Sequence, residues 1–291
     1  MKKRTIKRIH ILVLMFAAFS VTAGIYYYLN SKDLVVTQYE LELRVNEPIR
    51  IIHLSDLHNA EFEENNYKLI ELVKEQEPDL IFMSGDMLNR DDPNEDIVLK
   101  LIRSLKETAP VYFGYGNHEY SWEQNFNKIL NKDIEEAGGT VVNNSYIDLE
   151  FKGTELRIGG YMGYWHQPHM FKKSKAAIQA EREFADNFEN TDRIKLLINH
   201  IPTQWVDWNY IDKYEVDAVF CGHYHGGMIR IPLINRGIYA PYVGWLPPYT
   251  KGMYKGEKAT CILSAGLGSE HSVPRINNPP EIVVVDLIPA E

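Results

Sequence analysis

Five short, nearly continuous apolar runs limit what this chain can fold into, because each is followed at once by residues able to ligate a metal ion. The runs are Ile49–Ser55, Asp79–Ser84, Pro110–Tyr115, Ile194–Asn199 and Val216–Cys221. Stretches of this length and composition read as strands covered on both faces. Between them lie residues with helical period: Tyr67, Leu69, Ile70, Leu72 and Val73, then Ile97, Val98, Leu101, Ile102 and Leu105, then Phe126, Ile129, Leu130 and Ile134. Leu34–Leu43 alternates instead, like an exposed strand. Strands alternating with helices define an α/β domain, and 291 residues are enough to enclose a full core.

The residues after the runs are Asp56-Leu57-His58, Gly85-Asp86, Gly116-Asn117-His118-Glu119, Asn199-His200 and Gly222-His223-Tyr224-His225. In open α/β sheets ligands bind at the carboxyl ends of strands, so five such endings converge on one crevice although they are far apart in the chain. The i, i+2 spacing of Asp56 with His58, and of His223 with His225, predicts extended pairs whose side chains point the same way. The glycines before Asp86, Asn117 and His223 permit tight turns and close backbone approach. Taken singly, each residue has an ordinary explanation as a turn, a cap or a hydrogen-bonded histidine. As an ordered set they predict a metal site. His10, His53, His166, His169 and His271 lack that context and read as structural or surface histidines, with His166 and His169 at a possible rim.

Lys2, Lys3, Arg4, Lys7 and Arg8 precede an uncharged nineteen-residue stretch, Ile11–Leu29, long enough to span a bilayer. The basic flank predicts a cytoplasmic start, with everything after about residue 30 on the far side of the membrane. Val21-Thr22-Ala23 offers the alternative of a cleaved signal peptide and a secreted product, but the apolar run continues to Leu29, which favours an anchor. The expected organisation is a leader and anchor at 1–30, a linker or edge strand at 31–48 and one domain at 49–291. The chain carries a net charge of −9, and with five of its cations in the leader the body is more acidic still. Nucleic acid is therefore disfavoured as a partner. Cys221 and Cys261 are too few for a disulfide framework and wrongly spaced for a zinc knuckle, so they read as buried thiols. Oligomeric state is not legible.

D-x-H, G-D, G-N-H-E, N-H and G-H-x-H in this order resemble the calcineurin-like metallophosphoesterase superfamily over roughly residues 49 to 288. Gly222–Arg230, Tyr239-Ala240-Pro241, Ser264–Gly268 and Pro279–Leu287 are similar to its membrane-associated bacterial branch of YkuE-like and YaeI-like phosphoesterases. The resemblance implies a layered β-sandwich flanked by helices, with two divalent metal ions (Mn, Fe or Zn) at one edge. It implies that Asp56, His58, Asp86 and His225 hold the first ion, and that Asp86, Asn117, His200 and His223 hold the second. Such a pair clamps phosphate oxygens and acidifies a bridging water for in-line attack. His118 is no ligand in this pattern; it is implied as general acid or electrostatic stabiliser near the leaving oxygen. Glu119 then reads as a supporting carboxylate.

Two departures narrow the substrate. Protein Ser/Thr phosphatases of the superfamily have G-D-x-V-D-R-G, whereas Gly85–Asp91 has Asn89 in place of the Asp that pairs with the catalytic histidine. An amide supplies no negative charge, which disfavours a phosphoprotein phosphatase. Purple acid phosphatases have a Tyr where Asn89 stands, so that subclass is disfavoured too. Arg90 keeps the position of a phosphate-binding arginine, with an ordinary surface arginine as the alternative. Tyr161, Tyr164, Trp165, Trp205, Trp208, Tyr210, Tyr242, Trp245 and Tyr249 cluster around the ligand motifs, either as packing or as an aromatic lip for a nucleoside, sugar or lipid-linked substrate. The expected activity is hydrolysis of a phosphodiester or pyrophosphate. The alternatives are a broad-specificity phosphomonoesterase and a non-catalytic, membrane-tethered metal-binding scaffold.

Overall fold

A computed structural model describes residues 2–30, 32–163, 175–232, 234, 236–240, 243–269 and 274–290. The buried apolar runs form parallel neighbours in two sheets. In the first sheet β1 (Val35–Leu43), the strand Glu281–Pro289, β2 (Ile49–Leu54), β3 (Leu80–Met83), β4 (Val111–Phe113) and β5 (Gly139–Val141) lie in that order. From β2 to β5 all pairings are parallel, whereas Glu281–Pro289 runs antiparallel to β2. The second sheet has the order Gly252–Lys255, Thr260–Leu263, β9 (Ala218–Cys221), β8 (Ile194–Ile198), β7 (Thr154–Gly160), β6 (Ser145–Phe151). Its four central strands, from Thr260–Leu263 to β7, are parallel.

Side-chain alternation along each strand divides the interior into layers. Ile49, Ile51, Leu80 and Phe82 meet Ile158, Leu196, Ile198 and Phe220 between the sheets. Ile52, Leu54, Ile81 and Met83 face the opposite way, onto α2 (Tyr67–Glu75) and α3 (Asp96–Leu105). On the far side of the second sheet, Leu197 and Val219 pack against Phe184 and Phe188 of α6 (Lys175–Glu189). Each fully buried aliphatic side chain contributes about 1.5–3 kcal/mol, so strands apolar on both faces are stable only as inner layers of such a stack. The domain is an α/β sandwich of two sheets flanked by helices. β1 is an edge strand with the expected alternation, and Val36 on its outer face is exposed.

One expected helix is two. The period through Phe126, Ile129, Leu130 and Ile134 is broken by Asn127 at φ 50°, which ends α4 (Asn117–Phe126) before α5 (Leu130–Ala137) begins. A left-handed asparagine is a common helix stop. The consequence for the site is that Asn117, His118 and Glu119 occupy the first turn of a helix.

α1 (Lys2–Asn30) is the single helix among the described residues long and apolar enough to cross a membrane. Its segment His10–Leu29 has mean hydropathy 1.8 and no buried share. Twenty residues rise about 30 Å, matching a hydrocarbon core. The helix meets the domain at its end, where the Tyr27 carbonyl accepts the Asn277 N–H at 3.4 Å.

Candidate metal centre

Because β2, β3 and β4 are parallel, and β8 and β9 likewise, all five ligand-bearing segments leave their sheets at carboxyl ends. The backbone ties them together: Asp56 N–H donates to Gly85 O, His58 N–H to Asp86 O, and Gly222 N–H to His200 O, each at 3.0 Å. The expected extended i, i+2 pairs are corrected here. Asp56, His58, Asp86, His223 and His225 all have left-handed φ, between 46° and 70°. They sit in tight turns past the strand ends, so convergence comes from turn geometry rather than from strand pleat. Such conformations cost about 1–3 kcal/mol each and persist where surrounding bonds over-determine them. Gly222 shows how close the packing is: a Cβ there would overlap Ser55 Oγ and the Asp56 carboxylate.

Two buried groups of potential ligand atoms result. Asp56, His58 and His225 form one, and Asp86, His200 and His223 the other, each with its atoms within 4.8 Å of one another. They adjoin: His200 Nε2 lies 3.0 Å from Asp86 Oδ2 and 3.9 Å from Asp56 Oδ1. A third grouping joins His58, Asp86 and His118. His225 Nε2 is 3.5 Å from Asp56 Oδ1, and the rings of His58 and His225 stack at 5.0 Å. Asn117, also expected as a ligand, begins α4 beside Gly116, whose packing against the Asp86 carboxylate leaves no room for a Cβ.

The donor set fits divalent ions. His58 Nδ1 and Nε2, Asn117 Oδ1 and His225 Nδ1 are buried with no hydrogen-bond partner among the described residues. Leaving such groups unsatisfied costs about 1–3 kcal/mol apiece, a cost that a bound cation removes. Burial pulls His58, His223 and His225 down to about 3, so their imidazoles are neutral with lone pairs available. Burial also pulls His200 down, but the adjacent Asp86 carboxylate outweighs it and holds that ring at about 9. Burial raises Asp86, and the attraction of His200 more than offsets this, leaving its carboxyl well below the usual range. His200 Nδ1 donates to the Ser84 carbonyl at 2.8 Å, which orients Nε2 toward Asp86.

His118 is placed differently. Its Nδ1 accepts the Arg90 N–H at 3.2 Å, which leaves Nε2 as the nitrogen that carries hydrogen, 4.0 Å from Asp86 Oδ2. Asn89 Nδ2 donates to the His58 carbonyl at 3.3 Å, and the Arg90 guanidinium is 3.7 Å from exposed Asp91. Glu119 is fully buried and ties two strand-end turns together: Oε2 accepts Asp86 N–H and Gly116 N–H at 2.8 Å, and Oε1 accepts Met87 N–H at 2.8 Å and Leu88 N–H at 3.2 Å. His53, expected to be structural, is buried on β2 with Nε2 2.7 Å from Ser84 Oγ.

Among the described residues the expected aromatic lip is mostly packing. Tyr161, Trp205 and Tyr210 are core residues of the second sheet's outer layer, and Tyr249 packs against the same cluster. Trp205 is drawn inward because its indole N–H bonds Asn199 Oδ1. Trp245 is 77% exposed, and Trp208 is at the surface beside Tyr210. Tyr164, Trp165, His166, His169, Tyr242 and His271 lie outside the described residues. Cys221 and Cys261 are buried thiols, 3.8 Å apart.

Spacing did not reveal the supports from the last quarter of the chain. Arg275 donates from Nε to Gly268 O and from an Nη to Ala265 O, both at 2.8 Å, and Gly268 N–H donates in turn to Asp56 O at 2.6 Å. Asn278 Nδ2 donates to His225 O at 2.7 Å. A buried arginine near Asp56 and His225 carries no sequence signal beyond the Pro279–Leu287 similarity, because its partners are backbone carbonyls.

The calcineurin-like phosphoesterase family profile matches residues 49–227. The chain is 25% identical over 261 residues to YkoQ of Bacillus subtilis, named an uncharacterized metallophosphoesterase, covering 87% of this chain and 90% of that protein. It is 26% identical over 245 residues to a protein named phosphodiesterase YaeI of Escherichia coli, covering 83% of each. YkuE of Bacillus subtilis, also named an uncharacterized metallophosphoesterase, is 26% identical over 244 residues, covering 82% of this chain and 78% of that protein. With the ligand groups assembled at the strand ends where this family profile lies, the chain belongs to the calcineurin-like phosphoesterases and is a metal-dependent phosphoester hydrolase.

Proposed function

We propose that this protein hydrolyses a phosphodiester or pyrophosphate with two divalent ions, and that α1 tethers it to a membrane with its catalytic domain on the extracytoplasmic side. The observation that carries the two-ion reading is the pair of adjoining ligand groups, Asp56/His58/His225 and Asp86/His200/His223, with Asp86 central to the second. On this reading Asp56, His58, Asp86 and His225 hold one ion, and Asp86, Asn117, His200 and His223 the other. Ions bound there supply Lewis acidity toward the phosphate oxygens and an acidified water.

The chain's own residues do the rest. The three neutral histidines offer lone pairs without needing to lose a proton at neutral pH. His118, with Nε2–H toward the ligand groups, stabilises the charge developing on the leaving oxygen by donating a hydrogen bond to it. Glu119 and Arg275 hold the Asp86 and Asp56 turns through backbone bonds and touch no substrate. The diester preference is supported by Asn89, which brings no second negative charge to His118, and by the name phosphodiesterase carried by the relative YaeI.

The test uses the full chain in nanodiscs, stripped of metal and reloaded with Mn²⁺, Fe²⁺ or Zn²⁺. Turnover of bis-p-nitrophenyl phosphate over p-nitrophenyl phosphate supports the reading. Preference for the monoester replaces it with a phosphomonoesterase, and two bound ions with no turnover of either ester replaces it with a scaffold.

A further inference from the structure

The loop that supplies His223 and His225 continues directly into an apolar groove. His225 opens a short 3-10 turn, and Met228 N–H donates back to its carbonyl at 3.0 Å. Immediately beyond, Gly227, Met228, Ile229, Ile238, Tyr239 and Trp245 enclose a cavity of about 270 Å³. Its rim is apolar and open: Trp245 is 77% exposed, and Leu246, whose N–H donates to the Ile238 carbonyl at 2.7 Å, is 49% exposed. Tyr239 and Trp245 meet edge to face at 5.6 Å across the hairpin that forms one wall. Contiguous exposed apolar surface of this kind marks an interaction site.

What covers this surface follows from its attachment. Ile229 pairs with Ile276, and the next residue, Asn277, donates its N–H to Tyr27 O at the end of α1. The groove wall is therefore one residue removed from the contact with the end of a helix whose predominantly apolar segment His10–Leu29 is unburied. Tyr28 lies under the Lys32 ammonium at 4.9 Å, and Tyr26 and Tyr27 stack edge to face, a combination suited to a membrane–water interface. Exposed Trp and Tyr such as Trp245 and Tyr239 favour that interface as well.

We propose that the groove takes a hydrocarbon tail of a membrane lipid whose phosphoester is presented to the adjacent metal centre. The substrate class is then a lipid-borne phosphodiester or pyrophosphate, a refinement that rests on the hydrolase and anchor reading above. The metal centre acts on the headgroup, and the groove discriminates by the tail.

Hexadecyl p-nitrophenyl phosphate embedded in phosphatidylcholine nanodiscs and water-soluble methyl p-nitrophenyl phosphate test this on the Mn²⁺-loaded full chain. Trp245→Glu is expected to lower turnover of the hexadecyl diester at least about tenfold, with the methyl diester unchanged and Trp245→Phe restoring most of the loss. Equal loss with both esters, or no loss with either, overturns the proposal. A second readout is independent of turnover: lipids brominated on the acyl chain should quench wild-type tryptophan fluorescence more than that of Trp245→Phe. Equal quenching places Trp245 outside the bilayer and overturns the groove assignment. If the wild type hydrolyses neither ester, the diesterase reading fails while the quenching still decides the groove.

Discussion

Glu119 holds the Asp86 turn through the backbone rather than side chain to side chain. Its Oε2 accepts the Asp86 N–H at 2.8 Å while Asp86 Oδ1 accepts the His118 N–H from the first turn of α4, also at 2.8 Å. The two carboxylates are thus interleaved, each satisfying amides of the other's segment. Burial and the nearby Asp86 charge raise the Glu119 carboxyl above its ordinary value, yet four amide donors converge on it.

Glu119→Ala should therefore act on the whole site. Four buried amides lose their acceptor, at about 1–3 kcal/mol each before relaxation. The expected net loss of stability is at least about 3 kcal/mol. Urea midpoints on metal-free protein, with bound metal counted by elemental analysis, check both effects. Wild-type stability with a full metal complement would show that the two turns are held by something else.

Asp86→Ala should remove metal and activity together. Asp86 is the carboxylate common to two of the three ligand groups, and His200 approaches it at 3.0 Å. Its removal also leaves the His118 N–H without its carboxylate acceptor. A variant that retains the wild-type metal content by elemental analysis would overturn the ligand role proposed for Asp86.

His118→Ala should keep the bound metal and slow turnover by about 10²–10³-fold, the range for loss of a positioned hydrogen-bond donor to a developing oxyanion. The loss should be smaller for esters with acidic leaving groups such as p-nitrophenol, which need little stabilisation of the departing oxygen. A loss independent of leaving-group pKa would assign His118 a structural role instead.

Gly222→Ala should damage the Asp56 turn. The added methyl overlaps Ser55 Oγ and Asp56 Oδ2, and Ser55 Oγ already donates to that oxygen at 2.6 Å. The expected cost is about 1–3 kcal/mol of stability, with weakened metal retention. Calorimetric melting with and without chelator separates the two effects, and an unchanged melt in both conditions would contradict the close packing.

Acid should weaken the fold partly through the pair Asp148–Arg157, register partners across β6 and β7. The hydrogen-bonded guanidinium holds the Asp148 carboxyl below its ordinary 3.8. A depressed native pKa means that the contribution is full above the unfolded value and is lost as pH falls through the native one. Because Asp148 is about a third exposed, solvent limits the effect to about 1 kcal/mol. The stability gap between wild type and Asp148→Asn, followed by urea melts, should close as pH falls; a gap independent of pH would rule the pair out.

By itself the sequence determined the α/β architecture, the buried strands and the residues gathered at their ends, because burial on both faces demands continuous apolar runs and ligand atoms mark where those runs stop. It also marked α1, since only composition and length decide whether a helix suits a bilayer. Tertiary structure alone decided how the ligands converge. Left-handed φ at Asp56, His58, Asp86, His223 and His225 is imposed by hydrogen bonds between turns remote in the chain, which no local propensity encodes. The burial of Trp205 and Tyr210 and the Arg275 clamp have the same origin. In each case a partner brought close by folding outweighs the weak local preference of the residue itself.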